Sequence, residues 1–147
     1  MSLNKHLFKT IILSIFSGMV VFLLYLLVII FIGIPSIKSD FLNIVFIGPL
    51  KEELLKFFVI IFLVKKFTSP KITAVSVGFG FGLGEQLFHL YNGDPVLWYV
   101  ILMHTATGLI LGIFLQKNSR WKGLLGSTSL HAIYNLGLWL YMIFFLI

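Results

Sequence analysis

Five apolar runs occupy nearly the whole chain, and four of them carry ionisable or amide side chains deep inside. A membrane-spanning helix needs about 20 mostly apolar residues, because each adds only 1.5 Å toward a hydrocarbon core about 30 Å thick. Charge, proline and glycine punctuate the chain into runs of about 7–34, stopped by Gly33 and Pro35, and 41–64, ended by Lys65 and Lys66. The next is about 72–91, closed by the turn signal Asn92-Gly93-Asp94-Pro95, followed by 96–115 and 123–147. The residues are 59% hydrophobic and 11% charged, against roughly 45–50% and 25% in a soluble domain. The expected fold class is therefore all-α: a polytopic membrane helix bundle of about five transmembrane helices, forming one integral-membrane domain over residues 1–147. The first run exceeds the roughly 7–15 residues of a signal-peptide core and lacks an A-x-A-like site, so a retained span is expected. With no cysteine, disulfides and thiolate chemistry are excluded.

The net charge of +6 could point to nucleic acid, but its distribution points to topology. Lys5 and Lys9 precede the first run; Lys65, Lys66 and Lys71 separate the second from the third; Lys117, Arg120 and Lys122 separate the fourth from the fifth. The alternate loops hold Lys38 and Asp40, and then Asp94. Basic loops stay in the cytoplasm, so the N-terminus is expected inside and the C-terminus outside. The expected location is the plasma membrane of a prokaryotic cell, crossed several times, with the lipid bilayer as partner and no nucleic acid.

A charged side chain at the bilayer centre costs roughly 2.5–3.5 kcal/mol and marks a functional position by default. Here such groups are Glu52, Glu53 and Lys56, then Glu85 and His89, then His104, then His131 and Asn135. Counted from the outer end of each run, Glu52 lies ~15 Å down, Glu85 ~9 Å and His104 ~12 Å; His131 rises ~12 Å from the cytoplasmic end of its run, or ~18 Å below the outer boundary of a core ~30 Å thick. Helices running in opposite directions thus bring their polar groups to one band, from mid-membrane toward the outer leaflet.

Glu52 and Lys56 stand four apart and share a helix face, while Glu53 points about 100° away. A lysine one turn from a carboxylate can neutralise it, leaving the other carboxylate to activate water or bind a cation. Gly48 and Pro49 just upstream allow the competing reading of a helix starting at the interface. Gly78, Gly80, Gly82 and Gly84 alternate, making two G-x-x-x-G pairs suited to close packing within the chain or to a homodimer. Gly108 and Gly112 extend the same pattern from His104. His131 and Asn135, again four apart, could together polarise a carbonyl and stabilise an oxyanion. Ser127 and Ser129 lie in the first turns of their helix, where capping suits them better than catalysis. The remaining carboxylates and imidazoles suit general-base activation of water, with or without a metal.

The set Glu52-Glu53-x-x-Lys56, Phe81-x-x-x-Glu85, His104-x-x-x-Gly108 and His131-x-x-x-Asn135, in this order on four helices, resembles the PrsW-type intramembrane proteases. These are distant relatives of the CAAX-protease and bacteriocin-processing (CPBP, or Abi) family. In that family an arginine falls one residue later than Lys56, which favours the PrsW branch. The resemblance implies an intramembrane endopeptidase of glutamic or metalloprotease type. Glu52 would be the base that activates water, and Glu85 would assist it or bind a metal. His104 would position water or ligate, and His131 with Asn135 would stabilise the oxyanion, with Glu53 and Lys56 in support. A metal, Zn2+ if present, would draw on Glu85, His104 and His131. The implied substrate is a transmembrane protein or peptide, such as an anti-sigma factor or a prepeptide. Two other classes fit the same cluster: a proton or cation transporter, and a non-catalytic immunity or partner-binding membrane protein.

Overall fold

The computed structural model describes residues 5–32, 41–67, 69–93 and 98–145. They form five helices: α1 (Lys5–Ile32), α2 (Gly48–Val64), α3 (Pro70–Tyr91), α4 (Trp98–Gln116) and α5 (Arg120–Phe145). A π-helical turn, Asn43–Ile47, runs directly into α2. All-α architecture is as expected. The residues expected to stop the first run (Gly33, Pro35), the loop charges Lys38, Asp40 and Asp94, and Pro95 lie outside the described residues.

Local chemistry sets the helix ends. Pro70 occupies the first turn of α3, where its missing N–H is harmless, and the Ser69 hydroxyl accepts from Ile72 N–H at 3.4 Å. Gly93, with φ +82°, ends the described chain after α3. α4 stops because Asn118 turns left-handed at φ 54°, letting Ser119 N–H reach back to the Phe114 carbonyl.

Glycine determines how α1, α3 and α4 pack. Residues two apart on a helix point about 200° away from each other, so the alternating glycines line two opposite faces of α3. Gly78 and Gly82 face α4: a Cβ on Gly82 would lie 2.8 Å from Ile101 Cα, and one on Gly78 would overlap the His104 carbonyl. Gly80 and Gly84 face α1, where a Cβ on Gly80 would lie 2.9 Å from Ile15 Cα. α3 is therefore sandwiched between α1 and α4, with Gly108 and Gly112 admitting the backbone around Ala74 and Lys71. Both G-x-x-x-G faces of α3 are used inside the chain. Each interior glycine costs about 1 kcal/mol of helix propensity against alanine; close packing offsets it.

The contacts fix direction. Gly78 meets His104 and Gly108 while Gly82 meets Ile101, so α3 and α4 are antiparallel. Ile15 meets Gly80 while Phe22 meets Gly84, so α1 and α3 are parallel. Glu53 meets His131 while Phe41 meets Trp139, so α2 opposes α5. Alternation gathers Lys5, Lys9, Lys65, Lys66, Lys71, Lys117, Arg120 and Lys122 at one end of the bundle.

Polarity is inverted relative to a soluble domain. Glu53, Lys56, His104, Thr107 and His131 are buried, whereas Phe8, Phe16, Leu23, Phe58, Phe62, Leu87, Trp98, Leu102, Leu125 and Ile133 are exposed. Toward the basic end, Phe57, Ile60, Leu63, Ala74, Val77, Leu111 and Leu124 form a dry apolar cluster. Two helical segments are long and apolar enough to cross a membrane: Lys5–Ile29, with mean hydropathy 2.7, and Trp98–Gln116, with 1.8. α2 has only 17 residues and carries Glu52, Glu53 and Lys56; the glycines and polar groups of α3 and α5 dilute theirs.

Candidate functional site

The polar residues converge immediately beyond the apolar cluster. Their hub is Lys56, 1% exposed, whose ammonium has three hydrogens to give. One goes to Glu53 Oε1 at 2.5 Å, one to His104 Nδ1 at 2.9 Å and one to Thr107 Oγ1 at 3.2 Å. Its nitrogen also sits 4.9 Å from the centre of the Phe81 ring. Thr107 can accept because its own hydrogen goes to the His104 carbonyl at 3.0 Å.

The ion pair forms between Glu53 and Lys56, three residues apart, and not between Glu52 and Lys56, four apart. Both spacings bring side chains together on a helix, so tertiary contacts decide. His131 Nδ1 donates to Glu53 Oε1 at 3.0 Å, drawing Glu53 to the same side as Lys56. Glu52 turns instead toward α1, where it shares a hydrogen bond with the Tyr25 hydroxyl. Its Oε2 is buried and makes no hydrogen bond among the described residues. That oxygen lies 3.8 Å from His131 Nε2 and 4.0 Å from His104 Nε2.

These bonds assign the tautomers. Glu53 is a carboxylate acceptor, so His131 carries its proton on Nδ1 and presents the Nε2 lone pair to Glu52. An ammonium cannot accept, so His104 Nδ1 is the acceptor and its proton is on Nε2. That proton is donated to Glu85 Oε2 in a short hydrogen bond. The other Glu85 oxygen lies 3.8 Å from His89 Nε2. His89 thus extends the cluster to the surface: it is 30% exposed and Glu85 25%.

Asn135 has a backbone partner. Its amide Nδ2 donates to the Ile44 carbonyl at 2.8 Å, in the π turn. It therefore grips the neighbouring backbone, although it shares a face of α5 with His131 as the spacing implied.

Comparison of the chain with protein-family models, curated proteins and solved structures finds no match. Donor chemistry alone decides whether a metal fits. Glu52, His104 and His131 each offer a ligand atom, all within 4.8 Å of one another. The converging carboxylate is Glu52, where Glu85 was expected. Zinc in a catalytic site takes three protein ligands, with nitrogens at about 2.0–2.1 Å. His131 fits: a carboxylate on Nδ1 and a free Nε2 lone pair is the usual support of a metal-bound imidazole. His104 does not, because Lys56 occupies Nδ1 and forces the proton onto the Nε2 that would have to ligate. Only one imidazole and one carboxylate are ready ligands, one too few.

Two contributors escaped the sequence reading. Tyr25 lies ~14 Å from the expected end of its run at Ile34, inside the depth band of the other polar groups, and that depth could have singled it out. Thr107 follows His104 by three residues, hence on the same face. Phe81, part of the Phe81-x-x-x-Glu85 pattern, packs its ring 4.7 Å from that of His104 and 6.2 Å from that of Tyr25.

Proposed function

We propose that this chain is a five-span membrane protein, N-terminus inside, that hydrolyses a peptide bond of a membrane-embedded protein or peptide, with Glu52 as the base. The observation that carries the reading is the buried Glu52 Oε2, without a hydrogen bond and facing an imidazole lone pair at 3.8 Å. A water there can sit about 2.8 Å from both atoms, within hydrogen-bond range. The apolar exterior around a polar centre, with every basic loop at one end, supports the membrane setting.

In this mechanism Glu52 takes a proton from the water as its oxygen attacks the peptide carbonyl carbon. The same carboxyl then gives that proton to the leaving amine. His131, held by Glu53, orients the water through Nε2. His104 keeps its Nε2 proton and switches the hydrogen bond it gives from Glu85 to the carbonyl oxygen, where the Lys56 ammonium behind Nδ1 strengthens it as an oxyanion donor. The oxyanion donor in this mechanism is His104, whose Nε2 lies 4.0 Å from Glu52 Oε2 and releases Glu85 as the substrate carbonyl enters, whereas His131 presents a lone pair to that space and Asn135 binds the Ile44 carbonyl. No metal takes part. The substrate would approach from the Glu85–His89 side, where the cluster reaches the surface.

Purified protein in detergent or liposomes should cleave a model transmembrane peptide. Glu52→Gln should lower the rate by at least about 10²–10⁴-fold, the contribution of a positioned base, with the thermal midpoint preserved. A chelator should leave the rate unchanged. Full activity in Glu52→Gln would remove Glu52 as the base, and zinc-restored loss on chelation would overturn the metal-free chemistry.

One observation favours a second reading, proton carriage: His104, Glu85 and His89 form a chain from the buried hub to the surface. Such chains serve as relays in membrane proteins. This chain opens one way only, because the apolar cluster around Ile60, Val77 and Leu111 closes the basic end. Proton flux in proteoliposomes that Glu85→Gln abolishes, without cleavage of any peptide, would favour it over hydrolysis.

A further inference from the structure

The π turn ahead of α2 shows what Asn135 is for. An α-helical N–H bonds to the carbonyl four residues back, and a π-helical N–H to the carbonyl five back. Gly48 N–H bonds to the Asn43 carbonyl, five back. In the same register the next N–H, that of residue 49, would bond to the Ile44 carbonyl. Residue 49 is proline and has none. The acceptor this leaves without its helical donor is the one that Asn135 Nδ2 reaches, at 2.8 Å.

We propose that Asn135 is a positioning residue, a side-chain substitute for the N–H missing at Pro49, which clips α5 to the π turn and so holds His131 against Glu53. The clip sits midway along a line of contacts between antiparallel helices. His131 meets Glu53 on one side of it, and Trp139 stacks edgewise on Phe41 at 4.8 Å on the other. His131, Asn135 and Trp139 are spaced four apart and so share one face of α5. Glu52 and Glu53 follow Pro49 within one turn, so the register of the π turn sets where both carboxylates point. Ile44 and Asn135 are half-buried, and in an apolar membrane setting an unsatisfied carbonyl here would cost free energy comparable to a lost hydrogen bond. The inference rests on the hydrolase reading only for what the clip serves; the clip itself is measurable without activity.

The test is a double-mutant cycle on the full chain in detergent, read by thermal midpoint and by hydrogen exchange over residues 41–50. Asn135→Leu should lower the midpoint by about 4 °C, the effect of one net hydrogen bond in a protein of this size, and speed exchange in the π turn. Pro49→Ala alone should be nearly neutral. The two together should recover most of the midpoint, because alanine at 49 supplies the N–H that the Ile44 carbonyl lacks. Asn135→Ser, which truncates the amide without adding bulk, serves the same cycle if the leucine variant does not accumulate. Where the wild type cleaves, Pro49→Ala should also restore the rate lost in Asn135→Leu. An Asn135 defect of equal size in both Pro49 backgrounds would overturn the proposal, as would an unchanged midpoint in Asn135→Leu. A wild type that cleaves nothing would count against the hydrolase reading and leave the stability cycle readable.

Discussion

The α1–α3–α4 side and the α2–α5 side of the bundle are held by different physics, and the candidate site lies across the seam between them. On the first side, backbones approach until no side chain fits between them: Gly78 against His104, Gly80 against Ile15, Gly82 against Ile101. On the second side, polar atoms make the joints: His131 to Glu53 and Asn135 to Ile44, with Lys56 pairing Glu53 within α2. Dispersion falls off steeply with separation and tolerates no inserted methyl. Hydrogen bonds in a dry interior are directional and can be exchanged one for another. Glu85 and His104 therefore sit on the closely packed side, while Glu52, Glu53 and His131 belong to the side joined by hydrogen bonds.

The largest expected effect breaks the closely packed side. Gly78→Val would drive two methyl groups into the His104 carbonyl and should abolish accumulation of folded protein, well beyond the roughly 1–3 kcal/mol of ordinary overpacking. Gly137→Val is the control, since nothing lies within 4 Å of a Cβ there. Size-exclusion profiles and thermal midpoints of the two should differ sharply. Equal behaviour would mean that α3 and α4 are not in backbone contact.

A smaller effect, of another kind, is expected at the polar joint. Lys56→Met leaves the Glu53 carboxylate buried without its cation and should cost about 3–5 kcal/mol. Adding Glu53→Gln should recover a large part of that loss, because the uncompensated charge is then gone. No second substitution on α3 should rescue Gly78→Val in this way. Recovery separates a network that can be rewired from a packing surface that cannot. A double variant no more stable than Lys56→Met alone would show that Lys56 acts chiefly through its stem packing.

Sequence made the helices and the polar band legible because hydropathy runs and four-residue spacings are local properties. It did not resolve which carboxylate Lys56 takes, since Glu52 and Glu53 are both within helical reach and His131, 78 residues away from Glu53, decides it. The π turn was invisible for a similar reason. Over five residues, apolar spacing does not distinguish 3.6 residues per turn from a wider turn, so the run expected over 41–64 gave no sign of the widened turn before Gly48 and Pro49. The backbone partner of Asn135, the Ile44 carbonyl, lies in that turn and was hidden with it. The contact of Lys56 with His104, 48 residues apart, was likewise out of reach of the sequence, because which partner each ring nitrogen meets is set in three dimensions. Tyr25 was hidden by residue type: a tyrosine in an apolar run reads as interfacial until its depth is compared with that of the carboxylates.

Tyr25 also supplies the mildest test of the comparison, because it reaches from the closely packed side to the hydrogen-bonded one. Its ring belongs to the α1–α3 packing, 6.2 Å from Phe81, and its hydroxyl to Glu52 on α2. Tyr25→Phe keeps the ring and removes only the hydroxyl, so the closely packed side should not register the change and the midpoint should move by no more than a net hydrogen bond, about 0.5–1.5 kcal/mol. Glu52 loses a donor that competes for its charge and fixes its angle. Under the hydrolase reading the cleavage rate should fall a few-fold through kcat, with KM unchanged, since nothing that grips substrate has been altered. Tyr25→Leu, which also opens the packing against Phe81, should add a loss of midpoint of the size expected for a truncated core aromatic. If Tyr25→Phe and Tyr25→Leu behave alike in both rate and midpoint, the hydroxyl has no separate role and Glu52 is held by α2 alone.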